Sequence, residues 1–523
     1  MHRKPLLAIL AVAIAAACAP QAPPAGTEAI RIEGLGSLSF PNSGAADAQE
    51  PFLRGVLLLH SFEYQDAREA FQSAQASDPE FALAYWGEAL THSHPLWNDE
   101  DLAASRAALA RLAATPAERR AKAGTKREAR YLSAVELLFG EGDRIERHRA
   151  YSDALAAMWS DDPTDLEAGA FYALSILGKS IGTRDERLYM QAAAVGLEVY
   201  RKDPDHPGAL HYLIHSFDDP THAPLGLPMA RAYDQVAPAA SHALHMPSHI
   251  YFALGLWEDS SAANENSVAA ADARRLRKGL DLDARGWHAF WWLHYTYLQQ
   301  GRIADASRLL KEMYRDAEAA GTKRTRYHLA VMRAAHLVEA EAWDGPAAAL
   351  TVDLTDLSTS SVAADHFARG FAALRRGERT LATTILSTMR GASVWEGVVP
   401  EEGATLATCC APPSAVSELL EGPGRMAAEI MARELEGAIR CADGELDEGL
   451  ALLRSAAELE DRMGFDFGPP VVVKPAHELL GEELLARGEA LEAAAEFQLS
   501  LDRAPQRALS LRGLAHALAA AGE

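Results

Sequence analysis

Histidine is the commonest metal ligand among the side chains and the one that moves protons near neutral pH. This chain of 523 residues places seven of its nineteen histidines in the 44 residues from His206 to His249, with Asp218 and Asp219 among them. His211 and His215 are four apart in a helix-patterned stretch, so both project from one face. His242, His245 and His249 follow at spacings of three and four, across the start of a second helix at Pro247. The two groups are about one helical hairpin apart. Three imidazoles and a carboxylate suit a divalent transition metal: zinc, copper, iron or nickel. The candidate ligands are therefore His211, His215, His242, His245, His249, Asp218 and Asp219, expected to converge on one pocket with ring nitrogens roughly 3–4 Å apart. A ligand position left open on such a metal would activate a water for hydrolysis. The competing reading is structural. Histidines at helix ends cap carbonyls, and Tyr212, Leu213, Ile214 and Phe217 around them are core residues.

Other residues are candidates for ligand contact. His206 and His222 flank the cluster. His92 and His94 lie in the loop THSHPLW. Trp287, His288, Trp291, Trp292, His294 and Tyr295 sit on one aromatic helix, where Trp287, Trp291 and Tyr295 share a face by their spacing of four. Most of that face reads as packing between helices, and an exposed remainder would suit a peptide or a sugar. Phe467 to Pro470, with Lys474 and Pro475, reads as a rigid connector, and Glu478 and Glu482 as a solvated helix face. Cys409, Cys410 and Cys441 permit a disulfide in an oxidising compartment, and equally permit none. The chain has no His-Glu-x-x-His, phosphate loop, nucleophile elbow or haem-attachment motif.

The elements that must position these residues are helices. Tyr64, Ala67, Phe71, Ala74 and Pro79 fall at offsets 0, 3, 7, 10 and 15. Ala490, Ala493, Phe497, Ser500 and Pro505 repeat that frame, Ile303, Ala306, Leu310 and Met313 repeat its first four places, and Leu446, Gly449, Leu453 and Ala456 do so more loosely. Small residues let two helices approach, the bulky one fills the groove, and proline ends the second helix. Thr115-Pro116-Ala117-Glu118 is a capping box. Asn98 to Glu100 reads as a helix start, and Gly255 and Gly301 as helix stops.

This frame resembles the tetratricopeptide repeat, a helical hairpin of about 34 residues. The resemblance covers most of residues 50–395 and 425–523. It implies an all-α, right-handed solenoid with a concave inner face. AYWGEALTHSHPLW (84–97), HPGALHYLIHSFDDPTHAPLGLP (206–228), HALHMPSHIYFALGLWEDSSAANE (242–265) and FGPPVVVKPAHELLGEELL (467–485) also resemble a group of large exported bacterial tetratricopeptide lipoproteins of unassigned activity. That likeness implies the solenoid and carries over no catalytic residue.

Residues 1–17 read as a signal peptide: a basic start, a short apolar run and Ala15-Ala16-Ala17 before Cys18. Lipidation of Cys18, or a plain secretory cut at the same bond, would export the chain, with the outer membrane facing the periplasm as the expected location. Residues 18–48 read as a flexible tether, 49–395 as solenoid, 396–424 as an irregular loop and 425–523 as C-terminal repeats. The net charge of −23 and the absence of a basic run argue against nucleic acid as a partner. Any membrane contact would go through the lipid. Two functions follow. One is an envelope-tethered solenoid that holds a peptide, protein or small molecule in its concave face, with a metal-binding histidine pocket. The other is a metal-dependent hydrolase or oxidative enzyme with residues 206–249 as its active site.

Overall fold

The computed structural model describes residues 29–97, 99–180, 184–392, 418–465 and 467–522. It is an all-α array of antiparallel helical hairpins, and successive helices pack on one another along the chain. The strands among the described residues are two short antiparallel pairs, Ile30–Ile32 with Gly36–Leu38 and Ser93–His94 with Asp99–Glu100.

The small-and-bulky frame explains the packing. Phe71, in the helix Tyr64–Ser77, is fully buried between Gly55 of the helix before it and Gly87 of the helix after it. A methyl group at Gly87 would sit 2.3 Å from the Phe71 ring, and one at Gly55 would sit 2.7 Å away. Phe497 repeats the arrangement near the C-terminus between Gly481 and Gly513.

One turn also recurs inside several of the hairpins. The first helix ends, one residue takes a left-handed backbone, and the next amide bonds back to a carbonyl five residues earlier. Leu256 to Tyr251, Arg302 to Tyr297, Glu378 to Ala373, Glu445 to Arg440 and Glu489 to Leu484 all show it. The left-handed residue is Gly255, Gly301, Gly377, Gly444 and Gly488 in these five, as expected where a side chain is disfavoured. In the first hairpin the same turn bonds Glu63 to Leu58, and the left-handed residue is Phe62 (φ 53°).

The array closes on itself at two places. The turn after the helix Ala46–His60 lies against residues 207–278: Glu63 bonds Ser241, and Asp66 pairs with Arg274 and Lys278. The loop between the helices Ala490–Arg503 and Ala508–Ala521 docks on the helix Trp287–Gln299. There Arg507 reaches Tyr295 (2.6 Å), Gln299 accepts from the Ala508 amide (2.9 Å), and Trp257 bonds the Gln506 carbonyl (2.9 Å). One hydrophobic core runs from Ile32 to Ala263 and a second from Trp287 to Ala517.

Several expectations are corrected. The described part of the expected tether is packed: Ile32, Leu35, Leu38 and Phe40 are buried, and a helix begins at Ala46. The expected loop 396–424 is helical from Glu418 onward. Asp101 caps the helix Leu102–Leu112, and Asp99–Glu100 pairs as a strand instead of starting a helix; Asn98 lies outside the described residues. Glu478 is no solvated face. It is fully buried, bonded to Arg507, Lys474 and Ser510, while Glu482 reaches the same buried Lys474. Cys441 is buried, and burial pushes its thiol up to about 11. Residues 1–17, Cys18, Cys409 and Cys410 lie outside the described residues.

Gly87→Ala is expected to destabilise the protein by about 1–3 kcal/mol, since the Phe71 ring is held on both sides and overpacking carries that cost. A lower urea midpoint with an unchanged slope is the measurement.

Candidate metal centre

Two groups of three histidines stand side by side where the two cores meet. The first is His211, His215 and His242, and the second is His245, His249 and His288. Within each group, one ring nitrogen per residue lies within 4.8 Å of the others. The helix Pro207–Ser216 presents His211 and His215 from one face, because Pro207 starts it and four residues make about one turn. The helices Ser241–His245 and Pro247–Ala253 run on nearly continuously and supply His242 to one group and His245 and His249 to the other. The helix Trp287–Gln299 adds His288. The groups touch through their rings, with centroids 5.7 Å apart for His215 and His249 and 6.2 Å for His242 and His245.

The inner nitrogens are close. His211 Nε2 lies 3.1 Å from His215 Nε2 and 3.2 Å from His242 Nε2, and His249 Nε2 lies 3.1 Å from His245 Nε2. The outer nitrogens fix what faces inward. His211 Nδ1 is 2.6 Å from the His60 carbonyl, which only accepts. His249 Nδ1 is 2.5 Å from Asp218 Oδ2. His245 Nδ1 is 2.7 Å from Asn264 Oδ1, and the Asn264 amide nitrogen donates to the Ser260 carbonyl, which sets its orientation. Each of these Nδ1 atoms therefore carries the hydrogen, and in a neutral ring each Nε2 presents a lone pair. In the second group two lone pairs face each other at 3.1 Å. A cation between them would turn that repulsion into coordination. Tetrahedral bonds of 2.0–2.1 Å to imidazole put ligand nitrogens roughly 3.3 Å apart, close to what is seen. His288 Nε2 is buried with no hydrogen-bond partner.

Aromatic rings wall the site. Phe62 lies against all three rings of the first group, at 4.3 Å from His211, 5.9 Å from His215 and 5.5 Å from His242. It holds this place in a left-handed backbone, a strain of order 1–3 kcal/mol for ordinary side chains; most of the equivalent turns use glycine there, and the turn at Glu341 (φ 48°) is the other that does not. Trp292 covers the second group, 4.9 Å from His245 and 4.4 Å from His249. Gly468 of the connector presses on Trp292, where a methyl group would be 2.3 Å from the ring.

The five histidines come together in two groups, and the expected carboxylates Asp218 and Asp219 stand in neither. Asp218 holds the outer nitrogen of His249. Asp219 pairs with Arg184 and bonds His222, at the start of the helix Ala223–Val236. His206 caps its helix by accepting the Ala209 amide, and its other nitrogen lies 3.2 Å from Glu167. Glu167 also bonds His60 at 2.8 Å. This third group has metal-like spacing, yet its geometry is that of an ion cluster. Burial opposes charge on Glu167 and on His206. Attraction to His60 and His206 outweighs it on Glu167, holding that carboxyl below the carboxylate range, and attraction to Glu167 holds His206 above the ordinary histidine value. Its consequence for the site is the placement of His60, whose carbonyl orients His211.

The remaining candidates are dispersed. His94 bonds Asp99 and packs on Tyr64 and Trp97, while His92 joins neither group. Trp287 is core, Trp291 packs near Tyr327, and Tyr295 accepts from Arg507. Phe62, His60, Glu167 and Asn264 carry no sequence signal for this site, because they come from other elements at long range.

No protein-family profile matches this chain, and no curated protein matches it. Solved structures with partial likeness are tetratricopeptide-type arrays. The Cut9–Hcn1 tetramer of APC/C is 12% identical over 90% of this chain and 76% of that one, with a TM-score of 0.35. Human IFIT1 with m7Gppp-AAAA is 11% identical over 91% of each chain, at 0.36. Yeast Tom70 is 10% identical over 90% and 87%, at 0.30. Scores this low carry no argument about what the chain does. The tetratricopeptide reading rests on the chain's own recurring hairpins.

His294 is fully buried beside His336, with ring nitrogens 3.2 Å apart. Burial, reinforced by His336, holds His294 well below 6.5, and burial brings His336 to about 4. The unfolded chain therefore binds more protons, so stability present above about pH 6.5 is lost as the pH falls towards 4. For metal-free protein, His336→Leu is expected to flatten urea-measured stability against pH between 6 and 5, by at most about 1.4 kcal/mol per pH unit for one proton.

Proposed function

We propose that the chain is a metal-binding tetratricopeptide-type solenoid whose paired three-histidine groups each hold one transition-metal ion. The observation that carries this is the 3.1 Å approach of His245 Nε2 and His249 Nε2 while both Nδ1 atoms are engaged by acceptors. The gap admits an ion and no organic molecule. Zinc, copper, iron or nickel fits an all-imidazole donor set. Three protein ligands per ion leave a coordination position open, the pattern of catalytic sites rather than closed structural ones. That favours a metal-dependent enzyme as the second reading. The solenoid would present the site to a protein, peptide or small-molecule partner in its concave face. Export, with a lipid on Cys18 at the outer membrane, is part of the same proposal.

Metal-stripped full chain titrated with each metal is expected to take up two equivalents, measured by elemental analysis after gel filtration. His211→Ala/His215→Ala should lose one equivalent and His245→Ala/His249→Ala the other. Uptake of no metal would end the proposal. Asp218→Asn should weaken the second site by about 10–100-fold and leave the first nearly unchanged, the usual effect of an outer partner of a ligating histidine. Cell fractionation tests the anchor: Cys18→Ser is expected to move the protein from the membrane to the soluble fraction.

A further inference from the structure

We propose that the two three-histidine sites act together as a dicopper centre that binds dioxygen between them. This rests on the reading of both groups as metal sites and adds the metal, the ligand and the cooperation of the two.

The donor set selects the metal. Both groups consist of histidine alone. Imidazole is a neutral, borderline donor, and copper heads the divalent affinity order for such sites. Charge selects the oxidation state. His211 rests on a backbone carbonyl and His245 on an amide, both neutral, and Asp218 puts one negative charge beside His249. All six imidazole rings contact Phe62 or Trp292 directly, and His211, His215, His245 and His249 are buried. Burying uncompensated charge is costly. Two divalent ions would bring four positive charges, and two cuprous ions bring two.

Proximity selects the ligand. The groups meet ring to ring through His215 with His249 and His242 with His245, and a diatomic molecule is the ligand that would bridge two ions held in groups so adjacent. His242 and His288 are the half-buried members, which leaves a small molecule its approach on their side. The step balances. Each cuprous ion gives one electron. Dioxygen becomes a bridging peroxide dianion, its bond order falls from two to one without cleavage, and a copper–oxygen bond forms at each metal. No proton is consumed. The net charge of metals plus ligand is two positive before and after, so a buried neutral donor set is not asked to absorb a change of charge.

The test loads metal-stripped full chain anaerobically with copper(I) and then admits dioxygen. One dioxygen is expected per two coppers, with an intense near-ultraviolet peroxide-to-copper absorption. Almost no copper(II) signal is expected in electron paramagnetic resonance, because the bridge couples the two spins. His215→Gln and His249→Gln, each checked for native helicity by circular dichroism, should abolish the absorption and leave an uncoupled, visible copper(II) signal on oxidation. Two bound coppers that take up no dioxygen, or that oxidise to a full uncoupled signal, would overturn the inference and leave the metal sites standing. So would binding of zinc or nickel with refusal of copper(I). Failure to bind any metal would overturn both.

Discussion

Hydrogen bonds on the outer faces of three imidazoles are the constraint on which the site depends. The His60 carbonyl, the Asn264 amide oxygen and the Asp218 carboxylate each take the proton of an Nδ1 atom. That turns the Nε2 lone pairs of these three rings inward, and those of His245 and His249 face each other at 3.1 Å. Rotating a ring breaks a buried hydrogen bond, and protonating one buries a further charge.

The solenoid exists, for this purpose, to bring those acceptors in from a distance. His60 ends one helix and His211 stands on another, 151 residues later. The ion cluster of His60, His206 and Glu167 locks that contact, and the Glu63–Ser241 and Asp66–Arg274 bonds hold the first hairpin turn against the histidine helices. At the other end, Arg507 and the connector at Gly468 clamp the aromatic helix that carries His288 and Trp292. The site therefore sits where an N-terminal and a C-terminal set of hairpins are both pinned to the middle of the array. Phe62 accepts a left-handed backbone in its turn, as Glu341 does in another, and in doing so places its ring on the first histidine group.

Much of this was legible in the sequence. The frame around Phe71 and Phe497 specified hairpins because a bulky ring needs small residues opposite it. The spacing of His211 with His215, and of His245 with His249, specified shared helix faces because an α-helix repeats every 3.6 residues. Both features are local. The packed hairpin at Ile30–Leu38 and the burial of Glu478 were not legible. Their composition matches a tether and a solvated face, and only partners far along the chain, such as Ala239 for Gly34 and Arg507 for Glu478, reverse that.

The sequence by itself determined the helical class, the frame of the repeat and which histidines share a face, because these follow from periodicity and side-chain size within one or two turns. Tertiary structure alone decided that the cluster divides into two groups, that His288 joins the second and that Asp218 engages the outer nitrogen of His249. Those outcomes depend on how far the superhelix rotates between hairpins, a quantity accumulated over hundreds of residues of packing and written in no single motif.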